Sequence, residues 1–312
     1  MRVIKGDPAV QVKTQTPGAC VMIGYLDGVH VGHQMLAQKV IELAKEKNGY
    51  PSAFTFNGKL YTKNIPSRGM LTTSHEKIEL LEELGIDTVF LADFTDWLRD
   101  MADEDFVRII LKDNIKASAV AVGPSFTFGK GGKAGAKELK NLCLKNGIDC
   151  TIIPQVTIGD EPVSSSRIRN YLYASNILEA NVLLGRRYFL TGTIISGAMV
   201  GRSLGFPTAN LDVSNPLKLI PGGGVYACFG YLEGVKYECA VSIGNRPTFL
   251  GGDNSLEAHI LDYSGLIYGK ELKLEFVAKI RDQIQFESKE KLSLQISNDV
   301  IKIREILEGQ HE

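Results

Sequence analysis

Short, almost wholly apolar runs recur along the first 176 residues: Ala19–Gly24, Ala53–Phe56, Thr88–Ala92, Ala119–Val122 and Thr151–Ile153. Their length and branched side chains predict β-strands. Between them lie longer stretches with helical patterning, Gln34–Lys47, His75–Leu84, Asp105–Lys112 and Lys137–Lys145. Thr73 followed three residues later by Glu76 reads as a capping box for the second helix, and Gly85 as its stop. Strands apolar on both faces, separated by helices of this length, predict a parallel sheet covered on both sides. Such sheets place ligands beyond the carboxyl ends of their strands.

After about residue 187 the pattern changes. Tyr226–Leu232 and Lys236–Ile243 flank a turn containing Glu233 and Gly234, which predicts an antiparallel hairpin. In Glu271–Ile280 the apolar residues Leu272, Leu274, Phe276, Ala278 and Ile280 alternate with mostly polar neighbours, the mark of a half-buried strand. A final helix is predicted from about Lys289 to Leu307, with Leu292, Ile296, Val300, Ile303 and Ile306 on one side. The second part therefore reads as an antiparallel barrel or sandwich with a terminal helix. The boundary is placed near Asn176–Arg187, giving modules of residues 1–180 and 187–312. That division suits a chain of 312 residues.

Composition removes several function classes. The net charge is −1, and from Arg186 onward 14 basic residues face 15 acidic ones. Neither part has the one-sided positive charge of a general nucleic-acid binder, so nucleic acid is not an expected partner. The first ten residues carry Arg2, Lys5 and Asp7 and lack the apolar core of a signal peptide. No apolar stretch approaches a membrane span. Five cysteines without a C-x-x-C pair argue against zinc sites and a disulfide framework. A cytoplasmic protein is expected.

Two constellations carry candidate chemistry. The segment from Gly24 to Gln34, GYLDGVHVGHQ, leaves the first predicted strand and enters the first helix. Free amides and the dipole at a helix start favour an anion. His30 and His33 can donate to phosphate oxygens there, and Gly32 allows a nucleotide close to the backbone. Further on, Val163–Arg169, VSSSRIR, opens another helix with three hydroxyls and two guanidiniums. These suit either a helix cap or a phosphate clamp.

The second constellation is the Gly192–Asn210 stretch, GTIISGAMVGRSLGFPTAN, in a chain without a Walker motif. Its glycines, Gly197, Gly201 and Gly205, permit a loop packed tightly around a ligand. Thr208 and Asn210 offer oxygen ligands to a hard cation such as Mg²⁺.

Taken together, these segments resemble the bacterial bifunctional riboflavin kinase/FAD synthetase family over nearly the whole length. The H-x-G-H and S-S-[ST]-x-I-R elements are similar to those of its adenylyltransferase module. The resemblance implies an α/β nucleotidyltransferase-type, Rossmann-like domain that transfers AMP to FMN. It assigns ATP contacts to His30, His33, Ser165, Ser166 and Arg169, beside which Gly32 and Ser164 are candidate nucleotide-binding residues. Residues 122–129, VGPSFTFG, resemble a motif with Asn or Asp at the position of Ser125, on the flavin and reacting-phosphate side. Leu26 stands where the family usually has Phe, and Asn57–Leu60 replaces a P-x-P segment.

The strings GRSLGFPTAN, GVYA (224–227), IGNRPTF (243–249) and LEAH (256–259) occur in the order of the riboflavin kinase module, an antiparallel β-barrel with a C-terminal helix. The resemblance implies that Thr208 and Asn210 hold metal and ATP phosphates, with Gly201 and Gly205 in the nucleotide loop. Glu257 would be the base on the flavin's ribityl hydroxyl, a role open to any carboxylate within hydrogen-bond reach. Arg281 falls in a segment near the flavin, where Gln283 replaces an acidic residue, and His259 is expected to be structural. Riboflavin, FMN, FAD and Mg²⁺ with ATP are the implied ligands. The alternatives are a monofunctional riboflavin kinase with a weakly active N-terminal module, or an N-terminal regulatory module for flavin or RNA.

Overall fold

The computed structural model describes residues 1–58, 69–196, 206–213, 215–245 and 254–310. Contacts divide the chain into two compact units, Met1–Ser165 and Ser166–Glu312.

The first unit is built on six strands: β1 (Arg2–Gly6), β2 (Ala19–Ile23), β3 (Tyr50–Phe56), β4 (Thr88–Ala92), β5 (Ala117–Val122) and β6 (Asp149–Ile152). They form one parallel sheet in the order β1-β4-β3-β2-β5-β6. Every residue of β2 and β4 is buried, as expected for central strands covered on both faces. Helix α1 (Val31–Lys47) packs against β2, β3 and β5. Phe106–Asn114 winds as a π-helix, and its Phe106, Val107, Ile110 and Leu111 join Val21, Ile23, Phe54 and Phe90 in one core. Helix α3 (Ala136–Lys145) adds Leu139, Leu142 and Cys143 to that core.

Helix α2 (Ser74–Glu83) starts with the capping box read in the sequence. Thr73 accepts from the Glu76 amide at 3.2 Å, and Glu76 accepts from the Thr73 amide at 2.8 Å. Gly85, at φ +88°, lies just beyond the helix, in the left-handed region open to glycine.

From β2 the chain runs outward through β3 and β4, then crosses to β5 and β6 on the other side. The direction reverses between β2 and β5. In parallel sheets, the crevice at such a reversal is where ligands bind, beyond the carboxyl ends. Two loops therefore flank the expected site: residues 24–30 after β2, and residues 123–126 after β5.

The second unit opens with helices α4 (Ser165–Tyr173, its first residue belonging to the first unit) and α5 (Ile177–Leu184). Among the described residues six strands follow: β7 (Tyr188–Ile195), β8 (Ala209–Asp212), β9 (Gly224–Leu232), β10 (Val235–Asn245), β11 (Asn254–Ile260) and β12 (Glu271–Arg281). They close into an antiparallel barrel in the order β7-β8-β11-β10-β9-β12, with β12 returning to β7. The hairpin turn holds Glu233 and Gly234 at φ +51° and +81°, the geometry of a tight two-residue connection. Helix α6 (Lys289–Glu308) covers one side, where Ile303 and Leu307 pack on Val225, Ala227, Phe229 and Val277.

Candidate functional site

The loop after β2 has an uncommon backbone. Leu26, Gly28 and Val29 all lie in the left-handed region, at φ +55°, +83° and +40°. That conformation is costly for Leu and more so for β-branched Val, so surrounding bonds must hold it. The Asp27 carboxylate accepts from the amides of Leu71 (3.2 Å) and Thr72 (3.0 Å) and from the Thr72 hydroxyl (3.2 Å). The Gly28 amide donates to the Thr72 hydroxyl at 3.0 Å. Ser165 Oγ donates to the Asp27 carbonyl at 2.9 Å.

This loop delivers His30 to the N-cap of α1, with extended backbone and no capping bond from its side chain. The His30 and His33 rings stack with centroids 3.7 Å apart and planes 17° apart. A Cβ on Gly32 would stand 3.2 and 3.3 Å from two atoms of the His30 ring. Gly32 thus leaves room for that ring, in addition to the close backbone approach its sequence position suggests. The pair sits where the free amides and dipole of α1 favour an anion.

Ser125 is exposed in the loop after β5, the other side of the reversal. Asn57 holds the start of the next loop: its side-chain amide donates to Asp93 at 3.0 Å, and its carbonyl accepts from Ser74 at 3.1 Å. Lys59 and Leu60 lie outside the described residues. Ser164 and Ser165 are half-buried in the first unit. Ser166, exposed, and Arg169, buried beside Ile168 on α4, belong to the second.

In the barrel, Asn210 on β8 pairs in register with Glu257 on β11, which pairs in turn with Ser242 on β10. On β11 Leu256, Ala258 and Ile260 are buried while Glu257 and His259 are half-buried, so these two share a face. The Thr208 hydroxyl donates to Glu257 Oε2 at 3.2 Å. His259 Nδ1 lies 2.8 Å from the Pro207 carbonyl, and its ring meets Phe206 edge-on at 5.7 Å. A carbonyl only accepts, so Nδ1 carries the proton and His259 fixes the segment leading to Thr208.

Two hydroxyl or amide oxygens beside one carboxylate form a hard-oxygen set that fits Mg²⁺ arriving with a phosphate ligand. Among the described residues, no group of three or more His, Cys, Asp or Glu side chains could hold a metal by itself. Gly201 and Gly205 lie outside the described residues, as do residues 246–249 of the IGNRPTF segment.

Arg281 is bound in a fork to Asp299 of α6, with contacts of 2.7, 3.0 and 3.1 Å, and donates to the Asp282 carbonyl. Gln283 donates to the Gly224 and Ile243 carbonyls and to the Ser242 hydroxyl, at 3.3, 3.1 and 3.0 Å. A carboxylate could not make these bonds, because it has no proton to donate. Gln283 thereby ties the ends of β9 and β10 beside the Glu257 row.

Sequence reasoning missed two contributors. Asp27 was visible only as part of a motif, although its carboxylate ties the loop to residues 71–72. Lys77 was not singled out, yet it is 2% exposed and donates to the Tyr25 carbonyl at 2.9 Å. Its signal was helical spacing: Lys77, Leu80 and Leu81 share the buried face of α2.

Residues 12–167 match the FAD synthetase family and residues 184–307 the riboflavin kinase family. The bifunctional riboflavin kinase/FMN adenylyltransferase of Bacillus subtilis (strain 168) is 32% identical over 295 residues, covering 92% of each chain. The Escherichia coli (strain K12) protein of the same name is 31% identical over 312 residues, covering 98% of this chain and 97% of its own. A solved structure described as a macrolide-efflux protein from Streptococcus pneumoniae superposes with a TM-score of 0.89 at 28% identity. It covers 97% of this chain and 99% of that one. Among the described residues here, no helix is long and apolar enough to cross a membrane. With both family matches in order on one chain, and bifunctional riboflavin kinase/FMN adenylyltransferases matched nearly end to end, this chain belongs to the bacterial bifunctional riboflavin kinase/FMN adenylyltransferase family.

Proposed function

We propose that this chain makes FMN and then FAD, phosphorylating riboflavin with ATP and transferring AMP from a second ATP to FMN. The observation that carries the reading is the presence of both family segments, residues 12–167 and 184–307, on one chain with relatives matched nearly end to end. We assign the activities to modules of residues 1–180 and 187–312. The free cysteines suit a reducing cytoplasm.

In the kinase reaction, Glu257 accepts the proton of the ribityl hydroxyl as its oxygen bonds to the γ-phosphorus and ADP leaves. Thr208 and Asn210 hold Mg²⁺, which when bound with ATP neutralises phosphate charge. Support comes from the 3.2 Å Thr208–Glu257 bond and the Asn210–Glu257 register. Gly201 and Gly205 are assigned to the nucleotide loop from sequence, and Arg281 keeps a supporting role through its fork to Asp299.

In the adenylyl transfer, an FMN phosphate oxygen attacks the α-phosphorus of ATP and pyrophosphate leaves. Such transfers need positioning and charge stabilisation more than covalent help. His30 and His33 serve that role at the start of α1, with Gly32 making room for the His30 ring. Ser164, Ser165, Ser166 and Arg169 are assigned to ATP phosphates, and Ser125 to the flavin side. Supplying the purified chain with riboflavin and MgATP and separating the products by chromatography tests the reading. FMN followed by FAD is expected; FMN alone would leave only the kinase, and neither product would refute the assignment.

A further inference from the structure

Lys77 is a buried cation outside the residues assigned above. Its ammonium donates to the Tyr25 carbonyl (2.9 Å), the Phe56 carbonyl (3.0 Å) and the Thr55 hydroxyl (3.2 Å), and lies 4.8 Å from the Tyr25 ring centre. Thr55 in turn donates to the Tyr25 carbonyl at 2.9 Å. These acceptors stand on the first residues after β2 and at the end of β3. Burial is the larger influence on Lys77 and lowers its pKa to about 8, while Asp27 is the charged group that opposes the fall.

Burying a lysine among apolar side chains is costly unless its protons are well used. Here one bond holds Tyr25, where the chain enters a backbone kept away from its preferred conformations at Leu26 and Val29, and the other two hold Thr55 and Phe56 at the end of β3. The far side of that loop is already tied to residues 71–72 through Asp27 and Gly28. Lys77 supplies the near side. The loop ends on His30, so its placement sets where the stacked histidines stand.

We infer that Lys77 is a positioning residue for the first unit's site: its ammonium clamps the start of the 24–30 loop to the end of β3 and thereby fixes the His30–His33 pair. The inference rests on reading that unit as the adenylyltransferase. A small displacement of groups that orient a reacting phosphate is enough to lower the rate strongly.

The test uses the full chain with Lys77→Met and Lys77→Arg, assayed for FAD formation from FMN and MgATP and, separately, for riboflavin phosphorylation. Lys77→Met should lower kcat/KM for FAD formation roughly 10–100-fold and leave phosphorylation unchanged. Lys77→Arg, which stays charged, should recover part of the loss. It should also remove the decline in FAD formation expected above about pH 8, where Lys77 of the parent chain deprotonates. Hydrogen exchange read by mass spectrometry supplies a result independent of activity. Amides of residues 26–30 should exchange faster in Lys77→Met, while those of β2 and β3 stay protected. Parent-like FAD formation in Lys77→Met, or loss of sheet protection in both variants, would overturn the inference. Absence of FAD formation by the parent chain would refute the adenylyltransferase reading, and the exchange result would still decide the clamp.

Discussion

Glu257, proposed above as the kinase base, is also a structural partner in the barrel. It receives the Thr208 hydroxyl and lies between Asn210 and Ser242 across neighbouring strands. Glu257→Gln keeps an oxygen to accept from Thr208 but cannot take a proton from a substrate hydroxyl. Riboflavin phosphorylation should fall roughly 10²–10⁴-fold, and FAD formation from supplied FMN should be spared. Initial rates of both reactions check this; near-parent phosphorylation would remove Glu257 from the mechanism. His259, on the same strand face, donates to the Pro207 carbonyl and so shapes the approach to Thr208. His30 and Gly32 have a similar division of labour, since the glycine leaves the space that the imidazole fills.

At the scale of elements, α6 is the barrel's principal lid. Ile303 and Leu307 are fully buried against β9 and β12, and Asp299 forks onto Arg281 at the end of β12. Ile303→Ala should cost about 2–5 kcal/mol, the range for truncating a packed aliphatic side chain. Urea unfolding monitored within the second unit would show it. Helix α2 offers a pH-dependent counterpart in the first unit. Lys77 has a folded pKa of about 8, below its ordinary 10.5. Between these values the unfolded chain holds the proton and the folded chain does not, so stability rises with pH across that window. Relative to Lys77→Met, the parent chain should therefore gain up to about 3 kcal/mol between about pH 8 and pH 10.5. Urea unfolding of both proteins at the two ends of that range measures the difference.

These elements also show what the sequence made legible. The parallel sheet, the Thr73–Glu76 cap, the Glu233–Gly234 hairpin and the terminal helix follow from apolar period and turn chemistry. Strand β1 leaves no apolar signature, because Arg2–Gly6 is an edge strand whose side chains are mostly exposed and partly charged. The pattern of residues 105–112 predicts a helix but not its π winding: nine residues are too few to separate that period from the ordinary one. The histidine pair and the Thr208–Glu257 row stand in recognisable motifs. Lys77 and Asp27 act through contacts with segments dozens of residues away, which no local pattern encodes.

At the scale of the whole molecule, two units of unlike architecture carry consecutive steps, the product of the barrel being the substrate of the sheet domain. The two chemistries are assigned separate machinery on one chain. The most direct test is His30→Ala combined with His33→Ala in the full chain, supplied with riboflavin and MgATP, with FMN and FAD quantified by chromatography over time. The expected result is FMN accumulating at the parent rate with no FAD formed. FAD formation at the parent rate, or loss of riboflavin phosphorylation in a chain that remains folded, would contradict it.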